Sequence, residues 1–421
     1  MRAGRWLVPI LAILWHAATA ASAAGSGILM TYWSDDPAAH PGDPLPGSVG
    51  ADGMPVQNAA LLRQLDDIDV LAYAFLRVDE TGNVYFRNPA VDLSAADAGF
   101  CRRNPPACPP RQGPASGSFD AFVHLTNRQQ ALKRIISVGG AGSQRSLDFA
   151  VAHPETFVRS VTALIQSFGL DGIDLDFEPD GFFGAGQGEG LATIIAELHQ
   201  ELGPRAFMSL ELPCQRNLAT VAQSAYLSLM GYDFHGPEYS PVTAHQANLY
   251  SDPEEPFLAG FYHLSDQQSL DYLTFRRVPA QMILLGFPAY FVAYGGVASP
   301  AGANGAFQPF DKSRTPVYDL GGARGRGSYR VAASLLQSGF REHRVRVNGR
   351  LSAVYAYDPA RRQWLSYDNA ALVAAKARYV LDRHLGGMMM WEIGEDLPAE
   401  HPGSLLRSAH EALRGASDRG R

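Results

Sequence analysis

The run Asp171-Gly172-Ile173-Asp174-Leu175-Asp176-Phe177-Glu178 sets four carboxylates within eight residues. Taken as a β-strand, its side chains alternate between two faces. Asp174, Asp176 and Glu178 then share one face, and Ile173, Leu175 and Phe177 the other. At a rise of about 3.3 Å per residue, Asp174 to Glu178 spans about 13 Å. Three acids on one face of a buried strand are costly unless they share protons or receive hydrogen bonds. Folding does not need such a row, whereas a general acid with a raised pKa can use one. Asp171 has the opposite parity and is expected to cap or brace the strand start. An acidic edge strand facing water and a hard-cation site are the alternatives. The flanking Leu170, Ile173, Leu175 and Phe177 instead suit a strand covered by helices in a parallel sheet. No nearby histidine or further acid completes a ligand set, so neither a metal nor a cofactor is expected.

Such a strand needs a scaffold, and the rest of the chain supplies candidates. Its 421 residues allow one large barrel or two domains. The net charge of -7 leaves no general basic footprint for nucleic acid and fits a neutral or polymeric substrate without selecting one. Short apolar runs read as strands at residues 27–33, 70–75, 134–140, 171–178, 206–212, 226–232, 281–287 and 386–391. Helices are expected over 58–65 and 126–133, then from Pro154. There Phe157, Val161, Leu164, Ile165 and Phe168 keep helical spacing up to Gly169. Further helices are expected around Leu191, Ile194, Ile195, Leu198 and Leu202, and over 369–384. Residues 34–55 and 87–120 read as loops, and the Gly-rich 181–190 as a flexible connection without the lysine-serine ending of a phosphate loop. Strands alternating with helices imply βαβ units. Eight of them fit a closed (β/α)8 TIM barrel, whose catalytic residues sit at strand C-terminal ends, where Glu178 lies.

One segment breaks the alternation. Arg344-Val345-Arg346-Val347, Asn348-Gly349 and residues 350–357 read as a β-hairpin, because Asn-Gly suits a tight I′ turn. With a short helix over 329–337, residues 292–357 are expected to form a small α+β insertion. Its arginines (Arg324, Arg326, Arg330, Arg341, Arg344, Arg346) read as a solvated face. Arg2 and Arg5, the apolar run 6–15 and two A-x-A sites read as a secretory signal peptide over 1–24. The expected plan is therefore a leader at 1–24, a barrel from 25–291 and 358–410, the insertion at 292–357 and a polar tail at 411–421. Export, to the outside or to a periplasm, permits a disulfide between Cys101 and Cys108, leaving Cys214 free. A monomer without membrane contact after leader removal is expected.

The motifs together resemble a known family. Asp171-x-x-Asp174-x-Asp176-x-Glu178 is similar to the signature of family 18 glycoside hydrolases, the chitinase family. Ser137-Val138-Gly139-Gly140, Met230-Gly231-Tyr232-Asp233 with His235-Gly236, and the block from Gly386 to Trp391 with Asp396 resemble its third-, sixth- and eighth-strand motifs. Gly286-Phe287-Pro288-Ala289-Tyr290 resembles the seventh-strand block, and Tyr367-Asp368-Asn369 with Lys376 fits the helix before the last strand. Three places depart from the usual pattern. Phe177 stands where many members have Trp, Pro179-Asp180 replaces a Tyr-Pro, and Phe291-Val292 replaces a Gly-Arg pair.

The resemblance implies a secreted hydrolase of β-1,4-linked N-acetylglucosamine polymers such as chitin. Peptidoglycan, N-glycan cores and non-catalytic sugar binding remain as alternatives. It implies Glu178 as the acid and later the base, with the substrate's own 2-acetamido oxygen as nucleophile. Asp176 would hold the acetamido N–H, Asp174 would share a proton with Asp176, and Tyr232 would donate to the acetamido oxygen. Asp233 would contact the same sugar, and Trp391 would form the subsite floor. Met230, Tyr290, Tyr32 and Phe75 are the remaining candidates for the cleft. Asp171, Ser137, Gly139 and Gly140 are expected as supports.

Overall fold

The computed structural model describes residues 27–34, 63–87, 92, 119, 122–123, 132–178, 185–213, 225–256, 264–300, 303–320 and 324–415. The expected leader, the cysteines, residues 35–55 of the expected loop, and residues 58–62 and 126–131 of two expected helices lie outside them. No described helix is long and apolar enough to cross a membrane.

Eight strands make a closed parallel barrel. They are β1 (Ile28–Ser34), β2 (Val70–Val78), β4 (Lys133–Gly140), β5 (Gly172–Phe177), β6 (Phe207–Pro213), β7 (Tyr226–Met230), β8 (Ile283–Pro288) and β14 (Gly387–Trp391). The order is β1-β14-β8-β7-β6-β5-β4-β2, and pairing of β1 with β2 closes the ring. β3 (Val84–Phe86) is a short antiparallel strand on β2. Because strands alternate their faces, one set of residues fills the barrel while Ile173, Leu175 and Phe177 pack outward under α2 (Pro154–Phe168) and its neighbours. The register of β5 is what matters for chemistry. Asp174 pairs with Ser137 of β4 on one side and Ser209 of β6 on the other. Gly139 pairs with Asp176, and Glu211 with Ser228.

The insertion is a separate five-stranded antiparallel sheet, ordered β10-β9-β13-β12-β11. Its strands are β9 (Tyr290–Tyr294), β10 (Arg326–Ser328), β11 (Arg341–Val347), β12 (Arg350–Asp358) and β13 (Gln363–Ser366). It therefore runs over 290–366, wider than the expected 292–357, because only Ala289 separates β8 from β9 and because β13 returns between β9 and β12. The β11–β12 hairpin turns at Asn348 (φ 50°) and Gly349 (φ 78°), the two left-handed positions that a I′ turn requires.

Two expectations are corrected. The Gly-rich 181–190 connection gives way at Ala185 to α3 (Ala185–Leu202). There Gly190 lets α3 approach α1 (Gln144–Ala152), since a Cβ on it would stand 2.5 Å from a Val151 methyl. The expected polar tail at 411–421 begins inside α7 (Leu405–Arg414), which carries the helix on to Arg414. Leu405, Leu406, Ala409 and Leu413 bury one stripe, and Asp396 accepts from Leu405 N, Leu406 N and the Ser404 hydroxyl at 2.9 Å each. Beneath the barrel wall, fully buried Lys376 of α6 (Ala370–Asp382) lies 2.8 Å from Asp368 and 3.2 Å from Asp266, a paired charge that leaves no buried ion alone.

Candidate active site

The β5 register explains how Asp174 survives with no solvent exposure. Its Oδ2 accepts from Ser137 Oγ at 2.6 Å and its Oδ1 from Ser209 Oγ at 2.6 Å. Tyr32 Oη stands 3.1 Å from Asp174 Oδ2 and 2.6 Å from Glu211 Oε1. A phenol has one proton to donate, so two carboxylates against it are best accommodated when one of them is protonated. Burial pushes both that way. It raises Asp174 to about 6 against the pull of three hydroxyls, and it raises Glu211 further above the carboxylate range, with Asp174 adding to the effect.

Asp176 sits one step nearer the rim and is 4% exposed. Burial raises its pKa well above normal, and the charges of Glu178, Asp174 and Glu211 add to that. Its Oδ1 is buried without a hydrogen-bond partner among the described residues. The strand runs on through Gly139 (φ 135°), where a Cβ would lie 2.0 Å from the Asp176 carbonyl oxygen, so only glycine lets β4 and β5 stay paired there.

Glu178 is the residue just past β5 and is half-buried. Its N–H donates to Ser143 Oγ at 2.9 Å, and that hydroxyl donates to the Asp176 carbonyl oxygen at 3.4 Å, so one serine fixes the strand exit. The Glu178 carboxyl is raised to about 7, first by burial and then by the charge of Asp233, with Arg77 opposing. Arg77 is held by the carbonyls of Gly140 (3.1 Å) and Ala141 (2.9 Å).

Across the opening lie the residues after β7. Tyr232 is buried to 9% exposure; its hydroxyl has the Met389 sulfur 3.9 Å away, a weak acceptor, and its ring packs edge-on to Tyr290 at 6.0 Å. Asp233 adopts a left-handed backbone (φ 56°), which turns the chain out of the barrel. Its carboxylate accepts from Arg326 at 2.7 Å and from the Tyr290 hydroxyl, and its carbonyl accepts from Tyr239 Oη at 2.6 Å. Met230 ends β7 and packs partly buried against the same aromatic cluster. His235 pairs with Glu255 at 2.9 Å, away from the acids' network.

Strands β1, β2 and β14 contribute an aromatic cluster beside these acids. Partly exposed Trp391 stacks on Phe75 (5.3 Å, 12°) and leans on Tyr32 (5.0 Å, 47°). Two of the expected cleft residues are buried beside it. Tyr32 is 1% exposed and serves the acids with its hydroxyl rather than offering a face. Phe75 is covered by Trp391 on one side and approached by Gly140, where a Cβ would lie 2.6 Å from its ring. Tyr290 is likewise nearly buried and touches Asp233 through its hydroxyl. Asp171 lies at the opposite end of β5, accepting from Arg134 N at 2.8 Å, where it braces β4 against β5.

Four residues at the site were not singled out by the sequence. Ser209 and Glu211 could have been found from the alternation in Phe207-Met208-Ser209-Leu210-Glu211, which places both on one face. Ser143 and Arg77 leave no such trace. Arg326, assigned to a solvated face, is instead the counter-ion of Asp233.

Residues 29–396 match the family described as Glycosyl hydrolases family 18. Chitinase 1 of Aphanocladium album is 24% identical over 371 residues, covering 84% of this chain and 80% of its own. Chitotriosidase-1 of Mus musculus is 27% identical over 311 residues, covering 66% of this chain and 61% of its own. The oviduct-specific glycoprotein of Ovis aries is 26% identical over 305 residues, and the match spans 66% of this chain and 52% of that protein. Among solved structures, the Ostrinia furnacalis Group IV chitinase superposes with a TM-score of 0.71 at 20% identity, covering 92% of this chain and 99% of its own. A chitinase from Cycas revoluta in complex with (GlcNAc)3 gives 0.64 at 19% identity, with 91% and 99% covered. At these identities the structures speak for the fold.

Proposed function

The chain belongs to the glycosyl hydrolases of family 18, and from that premise we propose that it is a secreted hydrolase of β-1,4-linked N-acetylglucosamine polymers that works by substrate-assisted retention. Ordinary retaining glycosidases place a carboxylate nucleophile about 5 Å from the acid, and family 18 departs from that rule. Glu178 protonates the glycosidic oxygen as the bond to the anomeric carbon breaks. The 2-acetamido oxygen attacks that carbon and closes an oxazolinium. Glu178, now a carboxylate, takes a proton from the incoming water, which opens the ring with net retention. Asp176 accepts the acetamido N–H and holds the group in line, while Tyr232 donates to the acetamido oxygen. Asp174 and Glu211 supply a proton reservoir behind Asp176. Trp391 gives the sugar a flat apolar floor, and Asp233 contacts the same sugar.

The observation that carries this reading is the buried, unpartnered Oδ1 of Asp176 next to an acid held protonated near neutral pH. A buried polar atom without a partner costs about 1–3 kcal/mol, and an amide N–H from the substrate would relieve it. The test is product analysis on chitin oligomers, peptidoglycan and a high-mannose glycopeptide side by side. Shortened N-acetylglucosamine oligomers from the first substrate alone are expected. Release from the glycopeptide or peptidoglycan with the chitin oligomers left intact would move the substrate assignment.

The pH dependence follows from Glu178. An acid must carry its proton, and this carboxyl titrates at about 7. The value of kcat/KM, measured between pH 4 and 9, should fall as pH rises through about 7. A limb near the ordinary glutamate value would contradict the burial of the acid. One relative, the sheep glycoprotein, has a name that states no hydrolytic activity. Sugar binding without cleavage is the second reading, and retention of the acid at Glu178 weighs against it.

A further inference from the structure

β2 carries a bulge, and the bulge decides which way its last residues point. Tyr73 lies opposite Ile136 of β4, but Leu76 lies opposite Val138, so β2 uses one residue more than its neighbour over that step. Before the bulge, Val70, Ala72 and Ala74 pack inside the ring while Leu71 and Tyr73 pack outside it. After it, Phe75 packs inside and Leu76 and Val78 outside. An extra residue in a strand reverses the faces beyond it and re-aims the side chains there. Arg77 shares the parity of Phe75 and is turned toward the barrel opening; without the bulge it would lie on the helix side. This end of β2 is held by β3, with Arg77 opposite Tyr85, and by Val78 N donating to Ser146 Oγ at 3.1 Å.

There the half-buried guanidinium donates to Gly140 O at 3.1 Å and to Ala141 O at 2.9 Å. Gly140 ends β4 and lies opposite Phe177, so these carbonyls stand level with the exit of β5 at Glu178. Among the described residues no carboxylate pairs with Arg77. A cation taken partly out of water gains most from a counter-charge nearby. We infer that Arg77 is a positioning residue of the hydrolysis: fixed on two carbonyls beside the strand exit, it stabilises Glu178 in the carboxylate form that remains once the proton has gone to the leaving sugar. The inference deepens the glycosidase reading above and rests on it. Glu178 must serve in both forms, first giving its proton to the glycosidic oxygen and later taking one from water. Burial and the charge of Asp233 favour the protonated form, and Arg77 opposes them. The groups facing Glu178 are Asp176 on its own strand, Glu211 on β6, Tyr232 and Asp233 after β7, and Arg77 on β2. Arg77 is the cation in that set, and Arg87, 5.6 Å over the Phe75 ring, adds positive charge behind it.

The test compares R77Q, R77K and wild type as full-length proteins on chitooligosaccharides across the same pH range. Glutamine keeps an amide that can donate to the carbonyls but carries no charge. R77Q should move the alkaline limb of kcat/KM upward by about half a pH unit or more, because Glu178 without the cation holds its proton more tightly. Its acid plateau should fall about threefold or more, since a weaker acid protonates the leaving oxygen less readily. R77K keeps the charge, so its limb should stay at the wild-type position even where a lost carbonyl contact lowers the plateau. A purely structural role would lower the plateau in both variants without separating their limbs. Circular dichroism and the melting temperature check folding, and R77M replaces R77Q if that variant does not fold. If neither folds, Arg77 is a support of the fold and the inference is overturned. A folded R77Q with an unmoved limb, or R77K and R77Q limbs that move alike, also overturns it and leaves the hydrolase reading standing. A wild-type protein that cleaves no N-acetylglucosamine oligomer overturns the hydrolase reading and this inference with it.

Discussion

Replacing Glu178 with glutamine should lower kcat on chitooligosaccharides by about 10³-fold or more while leaving oligosaccharide binding within a few-fold of wild type. Glutamine keeps the shape of the side chain and its backbone bond to Ser143, but it has no proton to give to the leaving oxygen and no carboxylate to activate water. Turnover and binding are best measured on one preparation, by reducing-end assay and by calorimetry. Retention of more than a few per cent of wild-type turnover would remove Glu178 from the acid's role. The same variant carries a stability signature. The fold raises this carboxyl from 4.5 to about 7, so the folded protein binds the proton more tightly than the unfolded chain. The stability this gives is complete below about pH 4.5 and is lost as pH rises through about 7. E178Q should therefore melt close to wild type at pH 4 and above it at pH 8.

Hydrolysis should also depend on the substrate's 2-acetamido group. Paired aryl glycosides of chitobiose and cellobiose differ in that group and test it directly. The cellobioside should be cleaved at least about 10⁴-fold more slowly, since a positioned intramolecular nucleophile is worth an effective molarity of about 10⁵ M or more. No other carboxylate is expected to substitute for the missing oxygen. Asp174 and Glu211 are locked among hydroxyls deep in the barrel, and Asp176 is held toward its neutral form by burial and by Glu178. Release of aryl alcohol from the cellobioside at a comparable rate would mean that a protein carboxylate attacks the sugar, and the substrate-assisted scheme would fall.

Much of the site was legible because strands impose a period of two. The parity of Asp174, Asp176 and Glu178 follows from the chain alone, and so does the alternation of strands and helices that forces a parallel barrel. The same rule places Ser209 and Glu211 on one face of the fifth barrel strand. That period does not decide how Tyr32 and Phe75 are used. Aromatics near strand ends line a cleft in one register and support it in another, and only the packing of Trp391 across both decides which.

By itself the sequence determined the acid row, its shared face, the barrel and the hairpin of the insertion, since each is a local pattern with a local cause. Tertiary structure decided what surrounds each acid. It gave Asp174 its three hydroxyls, left Asp176 Oδ1 without one, and brought Arg326 from 93 residues away onto Asp233. These depend on which strands become neighbours and at what register. Burial and the distances between charges, which set the acids' protonation, exist only once the ring of strands has closed.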